Sequence, residues 1–268
     1  MRLTDNCLKS FRQEGYALLP EVLSSQELAV IRSHIDELAK IESESRVLER
    51  DGRTVRALHG CHLHDALFDR LVRLPAFLEP ARQILESEVY TYQFKVNTKA
   101  AFRGDVWPWH QDYIFWRNED GMPAAHAVNA MVFLDDVTEF NGPLYFMPGS
   151  HREGCIASPK PPGPDAGWQN DVSADLKYQI SEEQLASFGQ RYGLVAPKGS
   201  AGAVVFFDCN IVHGSPSNIS PSARRMLIIT YNAVNNVPIP RPRPRPAFLV
   251  GQATAPLVPL TDALCTGI

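Results

Sequence analysis

The sequence predicts a mainly-β fold, a double sheet or barrel with α-helices flanking it on the N-terminal side. Helix-period segments are confined to roughly residues 1–88. From Val89 onward, short apolar runs alternate with Gly/Pro turns, and nowhere do strands and helices alternate as they would around a parallel sheet.

Thr4 to Glu14 reads as a short helix, and Gly15 to Pro20 as a strand ended by proline. Ser24 and Glu27 have the spacing of a capping box. Leu28, Ile31, Ile35 and Leu38 follow at three- and four-residue steps, so a second helix turns one apolar stripe to the core. Residues 42–54 are charged, with Asp51-Gly52 as a turn. Val55 to His64, with three histidines, fits no zinc site with cysteine pairs and reads as a polar loop able to fold over a pocket, with Arg56 or His59 reaching substrate. Asp65 to Leu74 and Pro75 to Ser87 are further helices, with Pro75 and Pro80 near helix starts.

Val89 to Lys99 alternates. Tyr90, Tyr92, Phe94 and Val96 share one face; Thr91, Gln93, Lys95, Asn97 and Lys99 share the other, which meets either solvent or a cavity inside a barrel. Ala127 to Leu134 is a strand, Asn141-Gly142-Pro143 a hairpin turn, Leu144 to Met147 a strand, and more strands lie between Leu194 and Tyr231. His151 follows a Pro-Gly turn and is expected to be exposed. Ser158 to Asn170, rich in Pro and Gly, is a loop or lid. Val237 to Pro246 alternates Pro and Arg as an extended strap. One domain results: a helical flank at about 1–88, a β core at about 89–235, and a C-terminal strap over 236–268.

At 268 residues and 44% hydrophobic content, the chain can bury a sizeable core. The balance of 26 basic against 30 acidic residues argues against a nucleic-acid or anionic-membrane binder. Five cysteines without Cys-x-x-Cys spacing read as reduced thiols. With no apolar leader core and no apolar run long enough to span a bilayer, a cytoplasmic monomer or homodimer is expected.

The chemistry concentrates in His110-Gln111-Asp112, set among Trp107, Trp109, Tyr113, Phe115 and Trp116. On an extended strand, residues two apart point to one face, so His110 and Asp112 can converge. A third donor, His213, follows the apolar run Gly202 to Phe207. Two histidines and a carboxylate on one face of an octahedron suit non-haem Fe(II) and dioxygen. The alternatives are a hydrogen-bonded His–Asp pair at a strand end, a silent metal-binding module, or a zinc hydrolase. Arg224, eleven residues beyond His213, adds a fork able to grip the carboxylate of an acidic co-substrate.

With these residues in place, the chain resembles the phytanoyl-CoA dioxygenase superfamily of Fe(II)/2-oxoglutarate oxygenases. It shares Trp109-His110-x-Asp112, Glu119-Asp120-Gly121-Met122-Pro123, Asn141-Gly142-Pro143, Pro148-Gly149-Ser150-His151 and Phe207-Asp208-Cys209-Asn210 with ectoine hydroxylases. It is more similar to bacterial free L-proline trans-4-hydroxylases, through Asp51 to Ala57, His59-Gly60-Cys61-His62, Gly104 to Trp116 and Arg245 to Leu249. The resemblance implies a double-stranded β-helix (jelly-roll, cupin-like) core with His110, Asp112 and His213 as Fe(II) ligands. It implies 2-oxoglutarate and O2 as co-substrates, the former held by Arg224 and Ser215 with Asn97 and Gln93, and succinate and CO2 as co-products. A small amino-acid substrate would be anchored by Lys95 or Arg56, between walls of Phe115, Trp116 and Phe207. Where ectoine hydroxylases match Lys95 and Ile228 they carry arginine and phenylalanine, which argues for an amino acid other than ectoine.

Overall fold

The computed structural model describes residues 2–156, 158–159 and 167–267. Helix α1 (Asp5–Glu14) is capped by the Thr4 hydroxyl, which accepts from the Cys7 N–H, and ends in left-handed Gly15. Strand β1 (Tyr16–Leu19) follows, then α2 (Ser25–Leu38), whose Ser24/Glu27 capping box is complete and whose Leu28, Ile31 and Ile35 are buried. The expected polar loop at 55–64 is instead a strand and a 3-10 turn. β2 (Arg46–Leu48) and β3 (Val55–His59) form a hairpin on the main sheet, because Ala57 and Leu58 bury against it. Helices α3 (Ala66–Leu71) and α4 (Pro75–Leu85) come next. Pro75 takes the first turn of α4, but Pro80 lies inside the helix rather than near its start.

Strands β4 (Val89–Lys99), β5 (Trp107–His110), β6 (Ala127–Phe133) and β7 (Tyr145–Phe146) follow, with a short turn α5 (Tyr113–Phe115) after β5. The chain continues through β8 (Ser158–Pro159), β9 (Tyr178–Gln179), α6 (Glu182–Tyr192), β10 (Val204–Asp208), β11 (His213–Ser215) and β12 (Arg224–Ala233). Two antiparallel sheets result, in the orders β1-β10-β6-β12-β4-β3-β2 and β5-β11-β7, besides the pair β8-β9. This is the jelly-roll core. The seven-stranded sheet draws strands from both sides of residue 88, so the N-terminal flank is not purely helical.

One face of the large sheet buries Phe94, Val96, Val132, Phe206, Leu227 and Ile229 with residues from α1 to α4. Its other face, with Met131, Phe133, Phe207 and Ile228, packs on Phe146 of the small sheet. The alternation of β4 breaks once. Thr230 pairs with Gln93 and Tyr231 with Thr91, which leaves Tyr92 as a bulge. Phe94 and Val96 therefore lie under the helices, whereas Tyr90 and Tyr92 join a separate cluster with Trp116.

Three further expectations are corrected. Asn141-Gly142-Pro143 does not close a hairpin: β7 pairs with β11, so the turn carries the chain from one sheet to the other. His151 is half-buried, with Nε2 3.2 Å from the Arg12 carbonyl. Helix α6, with its Ser181/Gln184 capping box, was not anticipated. Most of the Ser158 to Asn170 loop lies outside the described residues. The strap at 237–246 forms neither helix nor strand and bends at 242–243, and the Ile239 N–H donates to the Gly121 carbonyl at 3.0 Å. Among the described residues, no helix is long and apolar enough to cross a membrane.

Candidate active site

Cross-strand register brings two histidines 103 positions apart in sequence together. His213 of β11 pairs directly with His110 of β5, and the ring centroids lie 4.1 Å apart. His110 Nδ1 donates to the Pro108 carbonyl at 2.7 Å and His213 Nδ1 to the Ile211 carbonyl at 2.9 Å. Each Nε2 is thereby left as the lone-pair nitrogen. Burial, reinforced by His213, pushes His110 down to about 3, and burial also lowers His213. Both imidazoles are neutral near pH 7, the form that binds metal.

Asp112 reaches the site by another route than the one the sequence pattern suggested. β5 ends at His110, and Asp112 has helical backbone angles (φ −70°, ψ −42°) at the start of α5, so the two side chains do not share a strand face. A turn, not strand periodicity, aims the carboxylate. Its Oδ1 lies 3.9 Å from His110 Nε2 and its Oδ2 3.9 Å from His213 Nε2. Ligand atoms of the three residues all lie within 4.8 Å of one another, and all three are buried. Burial alone would raise the Asp112 carboxyl; Lys95, His213, His110 and the Asn129 amide outweigh it and hold it at about 2. Two neutral imidazoles and a carboxylate, oriented by backbone carbonyls and an amide, fit a non-haem iron.

Arg224 opens β12 on the same inner face as Met226 and Ile228, beside this cluster. Its Nη2 donates to the Gly142 carbonyl at 2.8 Å and meets Ser215 Oγ at 3.3 Å, while its buried Nε has no hydrogen-bond partner. Gly142 itself has φ +75°, and a Cβ there would lie 2.6 Å from Lys99 Cδ and 2.8 Å from the Pro216 carbonyl oxygen; only glycine fits. Burial, with Arg56 nearby, pushes Arg224 down to about 9, still a cation at neutral pH. A buried guanidinium with an unsatisfied N–H calls for an anion.

The cavity in front of this cluster is lined by Gln93, Lys95 and Asn97 from β4, by Phe115 and Trp116 after the metal strand, and by Phe207 from β10. The polar stripe of β4 thus faces the cavity, not solvent. Asn97 Oδ1 is buried without a partner, Gln93 Nε2 donates to the Leu249 carbonyl at 2.6 Å, and Lys95 Nζ stands 3.6 Å from Asp112 Oδ1. Ser215 lines the cavity too, with Oγ 3.1 Å from the Gly142 carbonyl. Arg56 is the exception. It is outside the cavity lining, and its fork is consumed by Glu49 Oε2 at 3.0 Å and the Val106 and Val172 carbonyls at 2.9 and 3.2 Å, with Trp107 stacked 3.8 Å from its carbon. The expected substrate anchor is a strut.

Sequence reading missed three residues here. Asn129 on β6 donates to Asp112 Oδ2; its signal was a lone amide in an apolar run. Arg245 lines the cavity and holds Asp120 through Nε and Nη2 at 2.8 and 2.6 Å, although the Pro/Arg strap reads as surface. Asp171, at the end of the Pro/Gly loop, also lines the cavity and accepts from Arg245 Nη1 at 3.1 Å. No local pattern marks it.

A jelly roll carrying a His–Asp–His face and a buried arginine beside one cavity is the architecture of a dioxygenase, and the chain belongs to the phytanoyl-CoA dioxygenase family (PhyH), whose sequence profile matches residues 11–226. It is 42% identical over 252 residues to an L-proline trans-4-hydroxylase of Streptomyces griseoviridis, covering 93% of each chain. It is 35% identical to an ectoine dioxygenase of Bordetella bronchiseptica, covering 87% of this chain and 77% of that one. The crystal structure of EctD from S. alaskensis with 2-oxoglutarate and 5-hydroxyectoine superposes with a TM-score of 0.83 at 31% identity, covering 98% of this chain and 89% of that one. The same enzyme with bound Fe gives 0.82 at 30% identity, with the same coverage.

Proposed function

We propose that the protein is an Fe(II)- and 2-oxoglutarate-dependent hydroxylase of a free amino acid, converting L-proline to trans-4-hydroxy-L-proline with succinate and CO2 as co-products. The observation that carries this reading is the adjacency of His110, Asp112 and His213 to the buried Arg224 in one cavity. A hydrolase or a silent metal module has no need of a second anion clamp there. Bound iron, with O2 and 2-oxoglutarate, would supply the oxidising chemistry; the chain's own task is aim and exclusion of water.

In this reading His110, Asp112 and His213 hold the metal. Arg224 and Ser215 hold the far carboxylate of 2-oxoglutarate, with Asn97 and Gln93 alongside. Lys95 anchors the carboxylate of the amino acid, while Phe115, Trp116 and Phe207 form the apolar wall against its ring. Identity to the proline enzyme over nearly the whole chain supports proline, and the resemblance at Lys95 and Ile228 speaks against ectoine. Pipecolate is the nearest rival ring, since one methylene of ring size changes pocket binding by only about 1–3 kcal/mol, and citrulline is an acyclic alternative. The test is succinate formation from 2-oxoglutarate with iron, ascorbate and air, adding single amino acids in turn, and NMR of the product. L-Proline should raise turnover most and yield the trans-4-hydroxy product. If no amino acid stimulates, the amino-acid reading fails; if zinc supports hydrolysis and iron does nothing, the oxygenase reading fails with it.

A further inference from the structure

We propose that His59, Lys95 and Asp171 form a head-group subsite for a zwitterionic α-amino acid, in which Lys95 and His59 Nε2–H take the carboxylate and Asp171 takes the ammonium. The inference rests on the amino-acid reading above and adds the groups that would enforce it.

His59 and Lys95 are direct partners across β3 and β4, and both side chains line the cavity. His59 Nε2 is buried and has no hydrogen-bond partner. Leaving such a group unmatched is unfavourable, so an oxygen delivered by a ligand restores the loss. Burial first, then Lys95 and Arg245, push His59 down to about 3. The ring is thus neutral and donates one N–H, beside the Lys95 ammonium that supplies the charge.

The ammonium end follows from charge counting. Arg245 is held bidentately by Asp120, whose Oδ2 also accepts from the Tyr92 hydroxyl, so this aspartate is saturated within the wall. The same guanidinium must also serve Asp171, one cation against two carboxylates. Lys177 and Glu119, paired at 2.8 Å, act on Asp171 with opposite signs, so Lys177 brings no net positive charge to it. Burial accordingly pushes the Asp171 carboxyl up to about 6, the behaviour of a buried acid short of positive charge. The ring NH2+ of proline supplies that charge with two N–H donors. A neutral isostere lacks both and leaves Asp171 with its deficit.

The test is calorimetric titration of the intact protein under nitrogen with ferrous iron and 2-oxoglutarate. The three ligands are L-proline, tetrahydrofuran-2-carboxylate (ring oxygen in place of NH2+) and prolinamide (carboxylate masked). The wild type should bind proline at least tenfold more tightly than either analogue. Asp171→Asn should bring proline and the furan analogue to within twofold of each other, His59→Ala should narrow the gap between proline and prolinamide at least threefold without closing it, because Lys95 still meets the carboxylate, and neither should change 2-oxoglutarate affinity more than twofold. Equal wild-type binding of proline and the furan analogue overturns the ammonium site without any variant, so a poorly folding Asp171→Asn protein leaves the question decidable. Equal losses for all three ligands on substitution overturn the subsite while leaving the amino-acid reading intact. Failure of proline and every other amino acid to bind removes that reading and the subsite together.

Discussion

Asn129 Nδ2 donates to Asp112 Oδ2 at 2.8 Å, and Asn129 Oδ1 accepts from Thr230 Oγ1 at 2.7 Å, so an amide in the middle of the large sheet sets the orientation of the carboxylate between the two histidines. Asp112 sits in a turn, outside any strand ladder, and this amide links it to the rigid β6–β12 pair. Asn129→Ala should weaken ferrous-ion affinity by about 10- to 100-fold, the usual cost of losing a partner of a metal ligand. Thermal stability should fall by only about 1–3 kcal/mol, since Thr230 also loses a bond. Unchanged iron affinity in equilibrium dialysis would show that the turn alone aims Asp112.

Arg224 should matter to the co-substrate and little to the amino acid. Truncating a buried charged partner costs about 2–5 kcal/mol, so Arg224→Ala should raise the 2-oxoglutarate concentration for half-maximal succinate formation by at least 30-fold. The amino-acid requirement should move less than threefold. Lys99 is buried nearby but its Nζ donates to the Asp105 carbonyl, and Arg225 faces the other way, bound to Asp135 at 2.8–2.9 Å. Neither is placed to substitute. A small shift for Arg224→Ala, together with a large one for Lys99→Met, would reverse that assignment.

What the sequence disclosed depended on how local each signal was. Caps, apolar stripes and the two histidine-bearing segments are short-range patterns, and Ser24/Glu27 and Leu28/Ile31/Ile35 read correctly, whereas the β4 stripe held only over Gln93 to Asn97 because of the bulge at Tyr92. The convergence of His110 on His213 depends on register between β5 and β11, which no local pattern encodes; the residue types suggested His213 as the third donor, and the family resemblance supported it. Asp112 was expected for the wrong geometric reason. Arg56 was misjudged because one arginine fork can serve a ligand or a wall equally well, and only Glu49, Val106, Val172 and Trp107 decide which. Asp171 follows a loop with no periodicity, and Arg245 belongs to a Pro/Arg alternation that reads as surface. Their role emerges when the strap and the end of the Pro/Gly loop meet over Asp120.

Lys99 gives the stability a pH dependence with a definite sign. Burial, with Arg224 and Arg56 beside it, pushes its ammonium down to about 6 from an ordinary value of 10.5. Between those values the unfolded chain holds a proton on Lys99 that the folded chain lacks, so this residue's penalty is full below about pH 6 and disappears as pH rises through 10.5. It adds up to about 1.4 kcal/mol of stability per pH unit in that window. Lys99→Met removes the titration but also the bond to the Asp105 carbonyl. Denaturant melts from pH 6.5 to 9.5 should therefore show wild type gaining on the variant steadily as pH rises. A constant difference across the series would mean that Lys99 stays charged in the fold.

Arg56 should behave as a strut in any assay that separates stability from binding. Its guanidinium and the Glu49 carboxylate are both nearly buried, with side-chain exposures of 2% and 6%, and Glu49 Oε1 also accepts from the Asp105 N–H at 3.1 Å. Arg56→Ala leaves that carboxylate uncompensated and removes the support under Trp107, which lines the cavity. Breaking such a pair costs about 3–5 kcal/mol, whereas replacing both charges with apolar groups of similar volume is often close to neutral. Arg56→Ala should accordingly lower the unfolding free energy by several kcal/mol. The double change Arg56→Met with Glu49→Leu should recover most of it, and the recovered protein should keep its amino-acid requirement within about threefold, because neither side chain reaches the cavity. A double variant that is stable yet has lost affinity for the amino acid would put Arg56 back at the substrate.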